Sequence, residues 1–197
     1  MQIKHQPMGP YQTNCYIATI DGKDLIIDPG ADATSWVMQN TTNPIAILNT
    51  HGHFDHVWSN KELKEKLNIP IYCPKDDCFM LQDDPFSQGT PVSTADIKVD
   101  EDRTFTIHGV EFTFHHFPGH TPGCSAISIG DNLFSGDFIF SGSIGRVDFP
   151  YSNPSDMIKS INKVLAWEED FVIYPGHGDK TTLNNENHSL KNWLNYL

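Results

Sequence analysis

Thr50-His51-Gly52-His53-Phe54-Asp55-His56 directly follows the apolar run Ile45-Ala46-Ile47-Leu48, and the reading of this stretch decides the fold. Three imidazoles and a carboxylate crowd between His51 and His56. Imidazole nitrogen and carboxylate oxygen are the ligands that suit zinc and other borderline divalent metals. The spacing i, i+2, i+4, i+5 does not place all four groups on one helical face. It fits a loop at a strand end, with side chains diverging toward two neighbouring metals.

Further candidate ligands lie downstream. Phe117-Pro118-Gly119-His120-Thr121 and Tyr174-Pro175-Gly176-His177-Gly178 are near copies of each other, each following a β-rich run. Pro and Gly force a sharp turn at the strand end and leave the next histidine on a rigid scaffold at a sheet edge. Between them, Leu133-Phe134-Ser135-Gly136-Asp137 ends an apolar run on a carboxylate, and Gly136 permits a tight backbone approach. Four strand ends therefore each deliver a metal-type ligand.

The order of these motifs resembles the metallo-β-lactamase superfamily over nearly the whole chain, with Asp28-Pro29-Gly30 after Leu25-Ile26-Ile27 standing at the family's early strand and turn. The resemblance implies an αββα sandwich, an α/β (α+β) fold of two mixed sheets flanked by helices. It implies that His51, His53 and His120 hold one metal, that Asp55, His56 and His177 hold a second, and that Asp137 bridges them. Two zinc ions are the expected cofactors, with iron or manganese accepted by the same ligands. Asp55 becomes a catalytic residue alongside a metal-bound hydroxide.

A finer resemblance is to the small glyoxalase II-like branch, carried by Pro118 to Gly123, Ser135-Gly136-Asp137 and Gly142-Ser143-Ile144-Gly145-Arg146-Val147-Asp148. It implies hydrolysis of an acyl thioester of the hydroxyacylglutathione type. Arg146 and Asp148 are read either as substrate-positioning groups or as an ion pair that staples their loop. Trp58-Ser59 replaces the branch's usual pair of glycines and is expected to narrow the site entrance. Residues 1–197 are expected to form one domain, without the C-terminal helical domain that holds glutathione in full-length glyoxalase II. The alternatives are a mononuclear iron persulfide dioxygenase, using His51, His120 and Asp137, and a lactonase-type hydrolase. A metal-stabilised scaffold without chemistry is disfavoured by the complete ligand set.

Composition is that of a globular enzyme. A chain of 197 residues buries about 70% of its unfolded surface, enough for one well-packed core. The net charge of −12 is a poor electrostatic match to nucleic acid; the partner that the glyoxalase II-like resemblance implies is a small-molecule thioester. No run approaches the ~20 apolar residues of a membrane span. Met1 to His5 shows no secretory pattern, and Cys15, Cys73, Cys78 and Cys124 form no C-x-x-C pair, so a cytoplasmic location is expected. Cys124 is read as a small buried residue, and His5, His108, His115, His116 and His188 as structural or surface groups.

Strands are expected at 14–20, 25–28, 45–49, 71–73, 104–107, 110–117, 125–129, 133–135 and 171–174. Helices are expected at 32–39, 57–67, 154–166 and 187–196. Trp58, Leu63 and Leu67 supply the second helix with an apolar face, and Glu62 and Lys66 form an i, i+4 pair. The polar stretch 82–96, with Pro85, Gly89 and Pro91, reads as a surface loop or lid.

Overall fold

The computed structural model describes residues 1–197. Its first sheet runs β1 (Gln2–Met8), β2 (Thr13–Ile20), β3 (Lys23–Ile27), β4 (Pro44–Leu48), β5 (Ile71–Pro74) and β6 (Ile97–Val99), each beside the next. Strands β1 to β3 pair antiparallel, and β3 to β6 pair parallel. The second sheet contains β7 (Arg103–Ile107), β8 (Val110–His116), β9 (Ser125–Ile129), β10 (Asn132–Gly136), β13 (Val172–Pro175) and β14 (Thr181–Thr182). Its spatial order is β14-β13-β10-β9-β8-β7, with only β10 and β13 parallel. A small hairpin of β11 (Ile139–Phe140) and β12 (Ser143–Ile144) stands apart.

Side-chain alternation along the strands builds the layers. Leu25 and Ile27 join Phe112, Phe114, Ile127 and Phe134 in the core between the sheets. Ile26 and Ile47 face the other way, against Val37 of α1 (Ala33–Asn40) and Leu63 of α3 (Asn60–Leu67). On the opposite flank, Leu133 and Ile173 pack beneath Met157 and Ile161 of α5 (Pro154–Leu165) and Leu190 of α6 (Leu183–Trp193). The result is the αββα sandwich of two mixed sheets.

Strand direction brings the ligand loops together. β3 and β4 are parallel, so both end at one edge of the first sheet. β8 and β10 are each antiparallel to β9, and β13 is parallel to β10, so all three end at one edge of the second sheet. Every candidate ligand lies just beyond one of these strand ends.

Several elements differ from the sequence reading. The helix expected at 57–67 is broken into α2 (Phe54–Val57) and α3, with Ser59 at φ −88°, ψ 2°. Ser59 Oγ donates to the Gly30 carbonyl at 2.6 Å, and Asn60 pairs with Asn49 at 2.8 Å, so side-chain bonds replace helical continuity there. Trp58 consequently does not narrow the entrance or join the apolar face; it lines an outer cleft with Asp32, Glu62 and Glu65. The Glu62–Lys66 pair does form, at 3.4 Å. Helix α6 starts at Leu183 because the Thr182 hydroxyl accepts from the Asn185 amide at 3.2 Å and caps it. Strands β1, β6, β11, β12 and β14 were not legible: β1 is a polar edge strand, and the others are two or three residues long. Within 82–96, a short helix α4 (Met80–Asp83) ends and the remainder lacks regular structure. All four cysteines are buried thiols.

Candidate metal centre

The site gathers in two trios. His51, His53 and His120 each offer a nitrogen, and Asp55, His56 and His177 each offer a ligand atom, within 4.8 Å of the others in their trio. Asp137 lies between them. Its Oδ1 is 3.3 Å from His56 Nε2, and its Oδ2 is 3.4 Å from His120 Nε2 and 3.6 Å from His177 Nε2. Asp55 Oδ2 stands 3.6 Å from His56 Nε2 and 3.4 Å from His177 Nε2. All seven residues singled out in the sequence thus meet at one place.

Hydrogen bonds behind the ring nitrogens settle which face of each imidazole looks inward. A carboxylate or carbonyl only accepts, so His56 Nδ1–H donates to Asp28 Oδ2 at 2.9 Å and His120 Nδ1–H donates to the Arg146 carbonyl at 2.8 Å. The Thr50 hydroxyl donates to Asp28 Oδ2 at 2.6 Å, which leaves its oxygen to accept from His51 Nδ1–H at 3.1 Å. In all three rings Nδ1 is thereby engaged outward and Nε2 faces the centre. His53 Nδ1 faces the His120 nitrogen at 2.9 Å.

Apart from His120 Nε2, which meets His53 Nδ1, the inward-facing atoms lack a hydrogen-bond partner in the protein. His51 Nε2, His53 Nε2, His56 Nε2 and Asp137 Oδ1 are buried without a hydrogen-bond partner, an arrangement that is costly unless a ligand completes it. Imidazoles fixed through one nitrogen, with the other free, are the arrangement in which outer partners orient metal ligands. The donor set fits two divalent cations.

Electrostatics agree. Burial, reinforced by the neighbouring imidazoles, holds His51 far below its ordinary pKa, and the same two causes bring His53 down to about 3. Both stay neutral at physiological pH, as ligands must. Burial resists ionisation of Asp137, but His56 overrides it and draws the carboxyl down to about 2. Burial would likewise lower His56, yet Asp55, Asp137 and Asp28 hold it well above its usual value, the response of a carboxylate cluster to the nearest available cation.

The supporting residues carried weaker sequence signals. Asp28, legible only as part of a turn, also accepts from the Thr50 amide at 2.8 Å and so ties the turn after β3 to the ligand loop after β4. Thr13, at the start of β2, donates to Asp55 Oδ2 at 2.7 Å. Asp77 is fully buried and accepts from the Gly52 amide (2.9 Å), the Thr121 hydroxyl (2.6 Å) and the Gly123 amide (2.6 Å), tying the His51–His56 loop to the His120 loop. Burial keeps its carboxyl above the usual range despite these donors. Gly176 admits no side chain, since a Cβ there would collide with the Asp137 carboxylate and the His56 ring.

Arg146 and Asp148 pair through two hydrogen bonds of 2.8 Å, at the surface rather than buried. The guanidinium also lies 4.2 Å from the Phe149 ring centroid and lines the cavity over the ligands. Cys124 is buried in the core beneath α5, away from the cavity. His115 bonds Ser128, and His116 bonds the Pro122 carbonyl, so neither reaches the centre.

The metallo-β-lactamase superfamily model matches residues 8–177, and the chain belongs to that superfamily. Hydroxyacylglutathione hydrolase GloC of Haemophilus influenzae is 33% identical across 96% of each chain. The crystal structure of BLEG-1, a B3 metallo-β-lactamase, superposes with a TM-score of 0.85 at 34% identity, over 94% of this chain and 96% of that one. TTHA1623 in a di-iron-bound form superposes with a TM-score of 0.78 at 32% identity, over 92% and 95%. Metal-dependent hydrolysis is thereby the class of chemistry to which the chain belongs.

Proposed function

We propose that this protein is a binuclear metal-dependent hydrolase of acyl thioesters, of the hydroxyacylglutathione hydrolase type. The observation that carries the reading is the set of inward-facing Nε2 atoms of His51, His56 and His120, with the Asp137 carboxylate between the two trios. His51, His53 and His120 would hold one metal, Asp55, His56 and His177 the other, and Asp137 both. Bound there, divalent ions supply Lewis acidity toward a carbonyl and a water of near-neutral pKa.

The protein's own groups account for the rest. Thr13 holds Asp55 in its rotamer, and its hydrogen bond joins His56 and His177 in keeping that carboxyl ionised against the effect of burial. Outside the ligand set, the only titratable groups lining the cavity are Tyr11 and Arg146. A reaction that needs little help from a general acid suits such a site. In thioester hydrolysis a C–O bond replaces the C–S bond, and the products are a carboxylic acid and a thiol. The thiolate, with a pKa of about 8.5, departs without prior protonation. A lactone or β-lactam leaves a far more basic oxygen or nitrogen.

Relatives support the reading in part: GloC is a hydroxyacylglutathione hydrolase, whereas BLEG-1 is a β-lactamase. Zinc is proposed as the metal, with iron the competitor because TTHA1623 holds two irons. The deciding experiment gives S-D-lactoylglutathione to zinc-loaded protein, with His53→Ala alongside. Turnover that falls more than about 100-fold in the variant is expected. Nitrocefin cleavage in place of thioester cleavage would move the assignment to β-lactams. Oxygen uptake on glutathione persulfide with one iron per chain would move it to a dioxygenase.

A further inference from the structure

The cavity above the ligands is aromatic. It measures about 340 Å³, and Tyr11, Phe54, Phe86, Phe140 and Phe149 line it together with Arg146 and five of the candidate ligands. The rings stand close to the chemistry. Phe86 meets the His53 ring edge-on at 5.0 Å, Phe149 lies 6.1 Å from both His53 and His120, and Phe140 is 6.1 Å from His177. A carbonyl held over the ligands therefore has aromatic surface on both arms within a few bonds.

Exposure points the same way. Tyr11 (55%), Phe149 (37%) and Tyr151 (51%) are among the few large apolar side chains left in solvent anywhere on the chain; Tyr11 and Phe149 line this cavity, and Tyr151 packs against its Phe86. Clustered exposed apolar groups mark a binding surface, unlike scattered ones. Phe86 is delivered by the 84–90 turn, where the Asp84 carboxylate accepts from the Gln88 and Gly89 amides and the Thr90 hydroxyl. A lid side chain is thus held over the site by a turn of its own.

The mouth offers little to a charged carrier. Glutathione brings two carboxylates and an ammonium group, and the one arginine or lysine on the cavity wall, Arg146, already spends its Nε and Nη2 donors on Asp148. A net charge of −12 on the chain adds no long-range attraction for an anion. A volume near the small end of ligand pockets suits a ring-sized group rather than a tripeptide.

We propose that the preferred substrate is a thioester joining an aromatic acyl group to a small uncharged thiol, selected by Phe86 and Phe149. This rests on the thioester hydrolase reading. Steady-state kcat/KM would be measured on the metal-loaded enzyme with phenylacetyl and lactoyl thioesters of both N-acetylcysteamine and glutathione. The phenylacetyl ester is expected to exceed the lactoyl ester at least tenfold on the same thiol, with N-acetylcysteamine at least equal to glutathione. Phe86→Ala and Phe149→Ala should each shrink the phenylacetyl-to-lactoyl ratio at least fivefold, chiefly through KM, and Phe86→Leu should recover most of it. Unchanged circular dichroism and metal content would establish that the variants fold.

A better rate on S-lactoylglutathione, or a ratio the variants leave unmoved, overturns the proposal while leaving thioester hydrolysis intact. Calorimetry with the uncleavable thioether S-(2-phenylethyl)-N-acetylcysteamine separates the two claims. If no thioester turns over but this probe binds wild type more than fivefold tighter than Phe86→Ala, the apolar selectivity stands and the reaction assignment falls. If it neither binds nor any thioester reacts, both fall.

Discussion

Asp28 is the residue on which most of the centre's order converges. Its two oxygens accept from His56 Nδ1, the Thr50 hydroxyl and the Thr50 amide, and through Thr50 they also set the tautomer of His51. Groups in this outer position typically change metal affinity 10- to 100-fold when altered. Asp28→Asn keeps the shape but removes the charge and can present an N–H where an acceptor is needed. It should weaken metal binding by about 10- to 100-fold, more for the second ion than for the first, with secondary structure retained. Competition with a chromophoric chelator would measure this, and unchanged affinity would show that His56 is oriented by packing alone. In the sequence, Asp28 is one more acidic residue in a turn; the ligands stand out only because their side-chain types cluster.

At the scale of elements, carboxylates fasten loops to the strands that carry the site. Asp77, from the short turn after β5, clamps two ligand loops. Asp24 in β3 does the same for the connection between α1 and β4, accepting from the Thr19 hydroxyl (2.6 Å) and from the Thr42 (2.7 Å) and Asn43 (2.9 Å) amides. Burial would raise the Asp24 pKa, but these donors outweigh it and hold the carboxyl below its ordinary value. The unfolded chain therefore binds this proton more readily than the folded one. The stability that Asp24 contributes is present above about pH 4 and is lost as pH falls through its lowered folded pKa. Asp24→Asn should cost about 1–2 kcal/mol at neutral pH, and wild type and variant should converge near pH 2. Urea unfolding at the two pH values tests this; a penalty that persists in acid would assign it to shape rather than charge.

For the whole molecule, the centre is a shared boundary between two halves. One sheet supplies Thr13, Asp28 and the His51–His56 loop, and the other supplies His120, Asp137 and His177. Metals bound by residues of both sheets would stabilise the folded chain by mass action, by about 4 kcal/mol at a thousandfold excess over Kd. At 197 residues, stripping the metal with a chelator should lower Tm by about 10 °C. Calorimetry with and without a chelator, followed by re-addition of zinc, would show it. A Tm indifferent to chelation would mean that the sheets hold the centre together without help. No helix is long and apolar enough to cross a membrane.

Chemistry-bearing residue types and the turns that carry them were legible in the sequence by itself. The His51–His56 cluster, the two Pro-Gly-His turns and Asp137 announced the fold and the residues that converge at one place, because metal-type side chains and sharp turns each stand out in short succession. Strand alternation also made the layers readable, since period two places every second residue in the inter-sheet core. Tertiary structure alone decided the rest. Tyr11, Phe54, Phe86, Phe140 and Phe149 are scattered along the chain and come to line one cavity only when five separate segments meet above the ligands. Asp77 and Asp28 gain their roles from donors 22 to 46 residues away. Trp58, adjacent to the motif in sequence, points to an outer cleft because Ser59 and Asn60 find partners that break the helix. Local preference selects side-chain types and turns, but which groups face one another depends on strand order and direction, and these follow from burying both faces of two sheets at once.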